Sequence, residues 1–246
     1  MKIHRFIGGF DLSEKPASTQ GGEVEITNPE NIKQIKDVLR MEKGDIIILS
    51  DGKGKEAKTT IVSISSDKIL CEINKIQKQE KIERKVNLYL AILKKENFEL
   101  AAQKAVECGV SNIIPIITER TIKTGLNISR LEKIILEASE QSGRNIVPTL
   151  SPILEFPVAL AYGSAAEERI IFHPENDLTL HPLLNKKEGT KNTKSVSIFI
   201  GPEGGFTEKE VKLAEDSGYS VSSLGPLTLR GETAAIVATY RAVYGI

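Results

Sequence analysis

The sequence predicts an α/β protein whose main domain is a largely parallel sheet covered by helices on both faces, preceded by a smaller β-rich domain. From residue 86 onward, short apolar runs alternate with stretches of helical period, the pattern of chained strand–helix units. Before that point the runs are short, rich in β-branched residues and separated by turn residues, with one helix among them. A charge-rich connector, residues 80–85, parts the two regimes. At 246 residues the chain has room for two ordinary domains with cores of their own.

In the first region, Val24-Glu25-Ile26, residues 45–49, 59–64 and 68–76 read as strands, and Ser50-Asp51-Gly52-Lys53-Gly54-Lys55 as a hairpin turn. That turn lacks the alternating carboxylates of a calcium loop. Asn28 is placed to cap a helix that has Pro29 in its first turn and Ile32, Ile35, Val38 and Leu39 on one face. Many short strands and a single helix predict a small barrel.

In the second region, residues 86–93 read as a buried strand. A helix over 96–108 follows, turning Phe98, Ala101, Ala102, Ala105 and Val106 inward and ending at Gly109. Residues 113–117 form the next strand. Ser129 and Glu132 have capping-box spacing before Leu131, Ile134, Ile135 and Ala138, and Gly143 closes that helix. The polar stretch 183–194 reads as a surface loop.

Two turns draw the function. Val196-Ser197-Ile198-Phe199-Ile200 runs into Gly201-Pro202-Glu203-Gly204-Gly205, and Thr207 with Glu210 then forms a capping box. Leu224-Gly225-Pro226-Leu227-Thr228-Leu229-Arg230-Gly231-Glu232-Thr233 repeats the arrangement before a helix over 234–244. Two glycine-bearing turns, each at the carboxyl end of a short apolar run and each feeding a helix, fit the crevice of an open α/β sheet and read as its two walls. Neither turn has the Gly-Lys-Ser/Thr ending of a phosphate loop or the Gly-x-Gly-x-x-Gly spacing of a dinucleotide site, which sets a nucleotide-binding protein behind other readings.

Charge excludes little. Lys plus Arg and Asp plus Glu are 33 each, and residues 1–85 carry +2 against −2 for the rest, so a nucleic-acid partner needs a local positive surface. Cys71 and Cys108 do not make a disulfide framework, there is no apolar signal segment after Met1, and no run reaches membrane length, so a cytoplasmic protein is expected. His173 and His181 bracket Glu175 and Asp177, but without zinc spacing, and no metal is expected.

Ile200-Gly201-Pro202-Glu203-Gly204-Gly205-Phe206, with Leu224-Gly225, Leu229-Arg230 and Glu232-Thr233-Ala234, resembles the C-terminal half of the bacterial 16S rRNA uracil-N3 methyltransferases of the SPOUT superfamily. Lys94, residues 103–107, Gly109-Val110, Thr118-Glu119-Arg120, 140–144, Val38-Leu39-Arg40-Met41 and His4-Arg5-Phe6 extend the resemblance over nearly the whole chain. It implies a PUA-like RNA-binding β-barrel domain over 1–78 and a SPOUT domain over 79–246, with a C-terminal trefoil knot around S-adenosylmethionine. It further implies a homodimer acting on 16S rRNA of the small ribosomal subunit. Phe172, Ile200, Gly201, Glu203, Gly204, Gly205, Leu224, Gly225, Leu229, Arg230 and Thr233 become the expected cofactor contacts. His4, Arg5, Arg40, Lys94 and Arg120 become the expected RNA contacts. Arg230 and Glu232 are the expected catalytic residues, with Arg144 reaching across the dimer. Taken alone, Arg144 would be a helix-end cation and Glu232 a first-turn acid.

The chemistry gives these types a reason. Uracil N3 must lose its proton before its lone pair attacks a methyl carbon, so a fixed arginine beside a uracil oxygen stabilises the developing anion as an oxyanion hole does. Glu232 would orient an arginine or accept the proton. The family often carries Thr where Gly231 stands, Arg where Leu227 stands and His before the Val38-Leu39-Arg40 stretch. The rival readings are a related enzyme with another RNA target and a catalytically silent RNA-binding relative.

Overall fold

The computed structural model describes residues 3–12, 22–78, 84–174 and 194–245. The chain forms two compact units, Met1–Lys81 with Ser139–Val147, and Ile82–Ala138 with Pro148–Ile246. Most of the connector at 80–85, His181 with Glu175 and Asp177, and nearly all of the loop at 183–194 lie outside the described residues.

The first unit is a mixed five-stranded sheet in the order β1-β3-β4-β5-β2, built from β1 (His4–Ile7), β2 (Glu23–Ile26), β3 (Ile46–Ser50), β4 (Lys55–Ile64) and β5 (Ile69–Lys78). The turn after Ser50 joins β3 and β4 antiparallel, as its residues predict. β1 lies parallel to β3, and this non-local pairing has no local sequence signal. Register shifts between Lys58 and Thr59 and between Ile61 and Ser63 bend the β4–β5 ladder. The order has β1 and β2 at its two ends. Phe6, Ile26, Ile35, Ile47, Leu49, Ile61 and Ile69 fill the core.

Helix α1 (Pro29–Lys33) starts as predicted, the Asn28 side chain accepting from the Glu30 and Asn31 N–H groups. A π-helical turn, Gln34–Val38, follows it, and this corrects the predicted face. The wider turn inserts a residue into the 3.6 period, so Ile32 and Ile35 stay buried while Val38 swings out to 69 % exposure.

The second unit is a parallel sheet in the order β12-β10-β11-β6-β7-β8, with β9 also on β7. Its strands are β6 (Lys85–Ala91), β7 (Asn112–Ile117), β8 (Thr149–Leu150), β9 (Leu154–Glu155), β10 (Glu168–Phe172), β11 (Ser195–Ile200) and β12 (Ser220–Ser222). Pro115 has no N–H to give, and it falls in the gap between the β8 and β9 pairings with β7. The period-two alternation sends Tyr89, Ile114, Ile171 and Phe199 into a cluster with Phe156 and Leu160 of α4 (Phe156–Gly163) and Val211 and Ala214 of α5 (Glu208–Asp216). α2 (Lys95–Cys108) and α6 (Gly231–Tyr244) pack together, and α6 lies on β6 and β11. Phe98, Ala101, Ala102, Ala105 and Val106 of α2 are fully buried, and Gly109 ends the helix at φ 104°.

Two helix starts differ from expectation. α3 (Ile128–Ser142) is capped by Asn127, whose Oδ1 accepts from the Arg130 N–H at 3.1 Å, so Ser129 lies inside the helix and is not its cap. Asn is as good a cap as Ser and stands two residues earlier. α6 begins at Gly231 with Arg230 at its N-cap, three residues before the expected start, which brings Glu232 into the first turn.

Candidate active site

In the second unit, β7 and β8 lie to one side of β6 while β11, β10 and β12 lie to the other. The order therefore reverses beside β6, and crevices in open α/β sheets form at such a point, beyond the carboxyl ends of the strands. A cleft of about 760 Å³ opens there. It takes Lys94 and Asn97 from the segment after β6, Phe172, His173 and Pro174 from the end of β10, Ile200 to Phe206 from the end of β11, Thr228 to Glu232 and Ala234 from the start of α6, and Arg120.

The loop after β11 owes its shape to close packing. A Cβ on Gly201 would stand 3.2 Å from the Phe206 N and 3.3 Å from the Gly205 carbonyl carbon, so backbone folds over backbone. Gly205 has φ 68° and donates to Pro202 O at 2.8 Å. Beyond the loop α5 starts with both halves of its capping box, and the buried Glu210 also accepts the Glu119 N–H at 2.8 Å.

Two side chains brace this loop. The Glu203 carboxylate accepts the Lys94 N–H at 3.0 Å, tying the loop to the start of α2. The Arg120 guanidinium donates to Gly204 O at 2.7 Å and Phe206 O at 3.4 Å, and its aliphatic stem occupies the space a Cβ on Gly204 would need, 3.3 Å away.

At the opposite wall, Arg230 is exposed and has no ion pair among the described residues. Glu232 is 8 % exposed, and its Oε2 is buried without a hydrogen-bond partner. A buried carboxylate oxygen with no donor is costly, so it points to a donor supplied by a ligand in the cleft.

The structure thus brings together Phe172, Ile200, Gly201, Glu203, Gly204, Gly205, Leu229, Arg230 and Glu232, along with Lys94 and Arg120. Leu224, Gly225 and Thr233 do not line the cleft: Gly225, at φ 138°, is held in the β12–α6 loop by Ser223, and Thr233 faces solvent. Arg144 belongs to the first unit, where its Nε donates to Ile146 O at 3.3 Å. Arg5 is committed inside that unit, to Glu56 at 2.7 Å and Gly143 O at 2.8 Å, with only 13 % of its side chain exposed. His4 is half-buried on β1, and Arg40 is exposed in the left-handed region at φ 50°. Asn97 joins the cleft unannounced, its one local signal being a place in the first helical turn after a strand's carboxyl end. Among the described residues no group of three or more potential metal ligands comes together.

Residues 79–242 match the RNA methyltransferase domain family and residues 26–78 the RNA methyltransferase PUA domain family. The ribosomal RNA small subunit methyltransferase E of Rickettsia conorii is 30% identical over 97% of this chain and 94% of its own length. This chain belongs to the ribosomal RNA small subunit methyltransferase E family. A crystal structure of a family member from Neisseria gonorrhoeae, bound to S-adenosyl methionine, superposes with TM-score 0.81 at 29% identity and covers 97% of this chain and 95% of that one. A methyltransferase of Legionella pneumophila, in complex with the same cofactor, gives TM-score 0.80 at 29% identity over 98% and 97%. The N-terminal PUA domain and the parallel α/β domain that follows it in sequence are thus the family's architecture in this chain.

Proposed function

We propose that this family member methylates N3 of a single uridine in 16S rRNA of the small ribosomal subunit, using S-adenosylmethionine and acting in the cytoplasm as a homodimer. The observation that carries the reading is the cleft beside β6, with a glycine loop on one wall and an unpaired arginine and a buried, partnerless carboxylate oxygen on the other. The residues fit the cofactor. A cleft of about 760 Å³ is within the range of small-molecule sites, and Gly205, with nothing within 4 Å of where a Cβ would stand, leaves its backbone open to close approach. The trefoil knot and the division into domains 1–78 and 79–246 belong to the same proposal, as do the cofactor contacts assigned to the loop after β11 and to Leu229.

When bound, the cofactor supplies an electrophilic methyl carbon on a sulfonium. The chain's share is to hold uracil N3 in line with that carbon and to favour its deprotonated form. The Arg230 guanidinium at the α6 N-cap supplies positive charge for the uracil oxygen that becomes negative as the N3 proton leaves. Glu232 Oε2 accepts a donor in the cleft. Arg144 of a second copy is the alternative source of the charge. Lys94 on the rim meets the RNA backbone, and Arg40 on the PUA domain is exposed for the same task.

The test is methyl transfer from labelled S-adenosylmethionine to small subunits lacking the modification, followed by mass spectrometry of the nucleosides. N3-methyluridine at one site is expected, with turnover falling about 100- to 1000-fold in Arg230→Ala while cofactor binding persists. Transfer to a different nucleoside, or cofactor binding without transfer, overturns the assignment.

A further inference from the structure

In the first unit, the β4–β5 register sets Lys55 directly opposite Lys78 and Lys58 directly opposite Lys75. All four side chains are exposed, as is Lys53 in the preceding turn, and none of the five has an ion pair among the described residues. Two nearby acids are already engaged. Glu56 is bound by Arg5 at 2.7 Å, and the Asp51 carboxylate accepts the backbone N–H groups of Lys53 and Lys55. Like charges directly opposite on a ladder destabilise it, and an acid at either partner position would turn each pair into an attraction. A protein with no net charge therefore gathers five uncompensated cations around one hairpin end, at a cost to its own stability, the Lys55–Lys78 pair on the face of the buried Ala57 and the Lys58–Lys75 pair on the opposite face.

We propose that this hairpin end, Lys53, Lys55, Lys58, Lys75 and Lys78, is the principal RNA-backbone contact of the first unit. The proposal rests on the RNA substrate assigned above and gives that contact to residues other than Arg5, whose guanidinium is spent within the fold. Ammonium groups about a strand-pair apart suit phosphates as point charges and read no base, so the contact positions the RNA and leaves sequence choice to the cleft.

The test uses the full chain with Lys75→Glu, Lys78→Glu and the double variant. Melting temperature, S-adenosylmethionine affinity and binding to a labelled RNA hairpin across a salt series are measured for each. Each single variant replaces a like-charged pair by an ion pair and raises the melting temperature by about 1–3 °C. Cofactor affinity stays that of the unaltered protein. RNA binding weakens, and the dependence of log K on log salt becomes shallower by about 1 for each lysine removed. Higher melting temperatures with unchanged RNA affinity and salt slope overturn the proposal and make the hairpin a solvated face. Lower melting temperatures overturn its premise that the lysines oppose one another. Failure of the unaltered protein to bind cofactor would instead sink the methyltransferase reading, and the salt series would still decide for or against the lysines.

Discussion

Removing the Arg120 guanidinium leaves Gly204 O without its 2.7 Å donor and takes the stem away from the loop it supports. Arg120 thus positions the loop, a different role from the RNA contact that the resemblance assigns it. Arg120→Ala is expected to weaken S-adenosylmethionine binding about tenfold, the value of one charge-assisted hydrogen bond, with Arg120→Lys recovering part of the loss. Calorimetric titration checks it, and an unchanged dissociation constant would discard the brace. Gly231 gives a second prediction. A Cβ there would sit 2.8 Å from Leu93 Cδ2, and Leu93 is 1 % exposed, so Gly231→Thr, the residue the family often carries, overpacks this site. A loss of about 1–3 kcal/mol is expected. Leu93→Val makes room, and a double-mutant cycle by denaturant unfolding should return a coupling of opposite sign to that loss. Gly231 and Leu93 are 138 positions apart in sequence order, so no local pattern announces their contact.

The glycine loop hands over to α5 through Thr207, whose hydroxyl and backbone N–H both engage Glu210. Thr207→Ala breaks one half of that exchange and should cost about 1 kcal/mol in chemical unfolding, while Thr207→Ser should cost little. This box was legible because both partners lie within one turn. The start of α6 was not, since Arg230 offers no capping side-chain bond and Gly231 is a poor helix former on local grounds. Helix α4 likewise carries no amphipathic contrast, being apolar around its whole circumference, and its place is set by the Phe199 and Phe206 rings against Phe156. At the π turn the difference is testable. Ile35→Ala should cost about 2–5 kcal/mol and Val38→Ala under 0.5 kcal/mol, where a continuous helical face would make the two alike.

At the scale of the molecule, Tyr89 and Tyr219 lie in the core of the second unit, Tyr89 stacked on Phe199 at 4.2 Å and the Tyr219 hydroxyl donating to Leu160 O at 2.7 Å. Burial pushes the Tyr89 phenol up to about 12 and raises Tyr219 further, in both cases because the charged form loses its solvent. The folded chain then holds two protons that the unfolded chain releases near pH 10. Their contribution to stability is whole below pH 10 and lost as pH rises toward 12, so alkaline unfolding should accompany the phenolate absorbance of these two tyrosines. Tyr89→Phe should flatten that dependence.

By itself the sequence determined what is local: the strand and helix periods, the Asn28 and Thr207 caps, the glycine stops, the α/β class, and through its motifs the family. Each of these depends on residues within a turn or a strand of one another, where spacing alone dictates geometry. Only the tertiary structure decided that β1 pairs parallel to β3, that Arg5 and Arg120 serve the fold and the loop, that Gly225 and Thr233 stand outside the cleft, and that four lysines face each other across β4 and β5. Those outcomes depend on register and on contacts between distant segments, which a linear pattern of residue types does not encode.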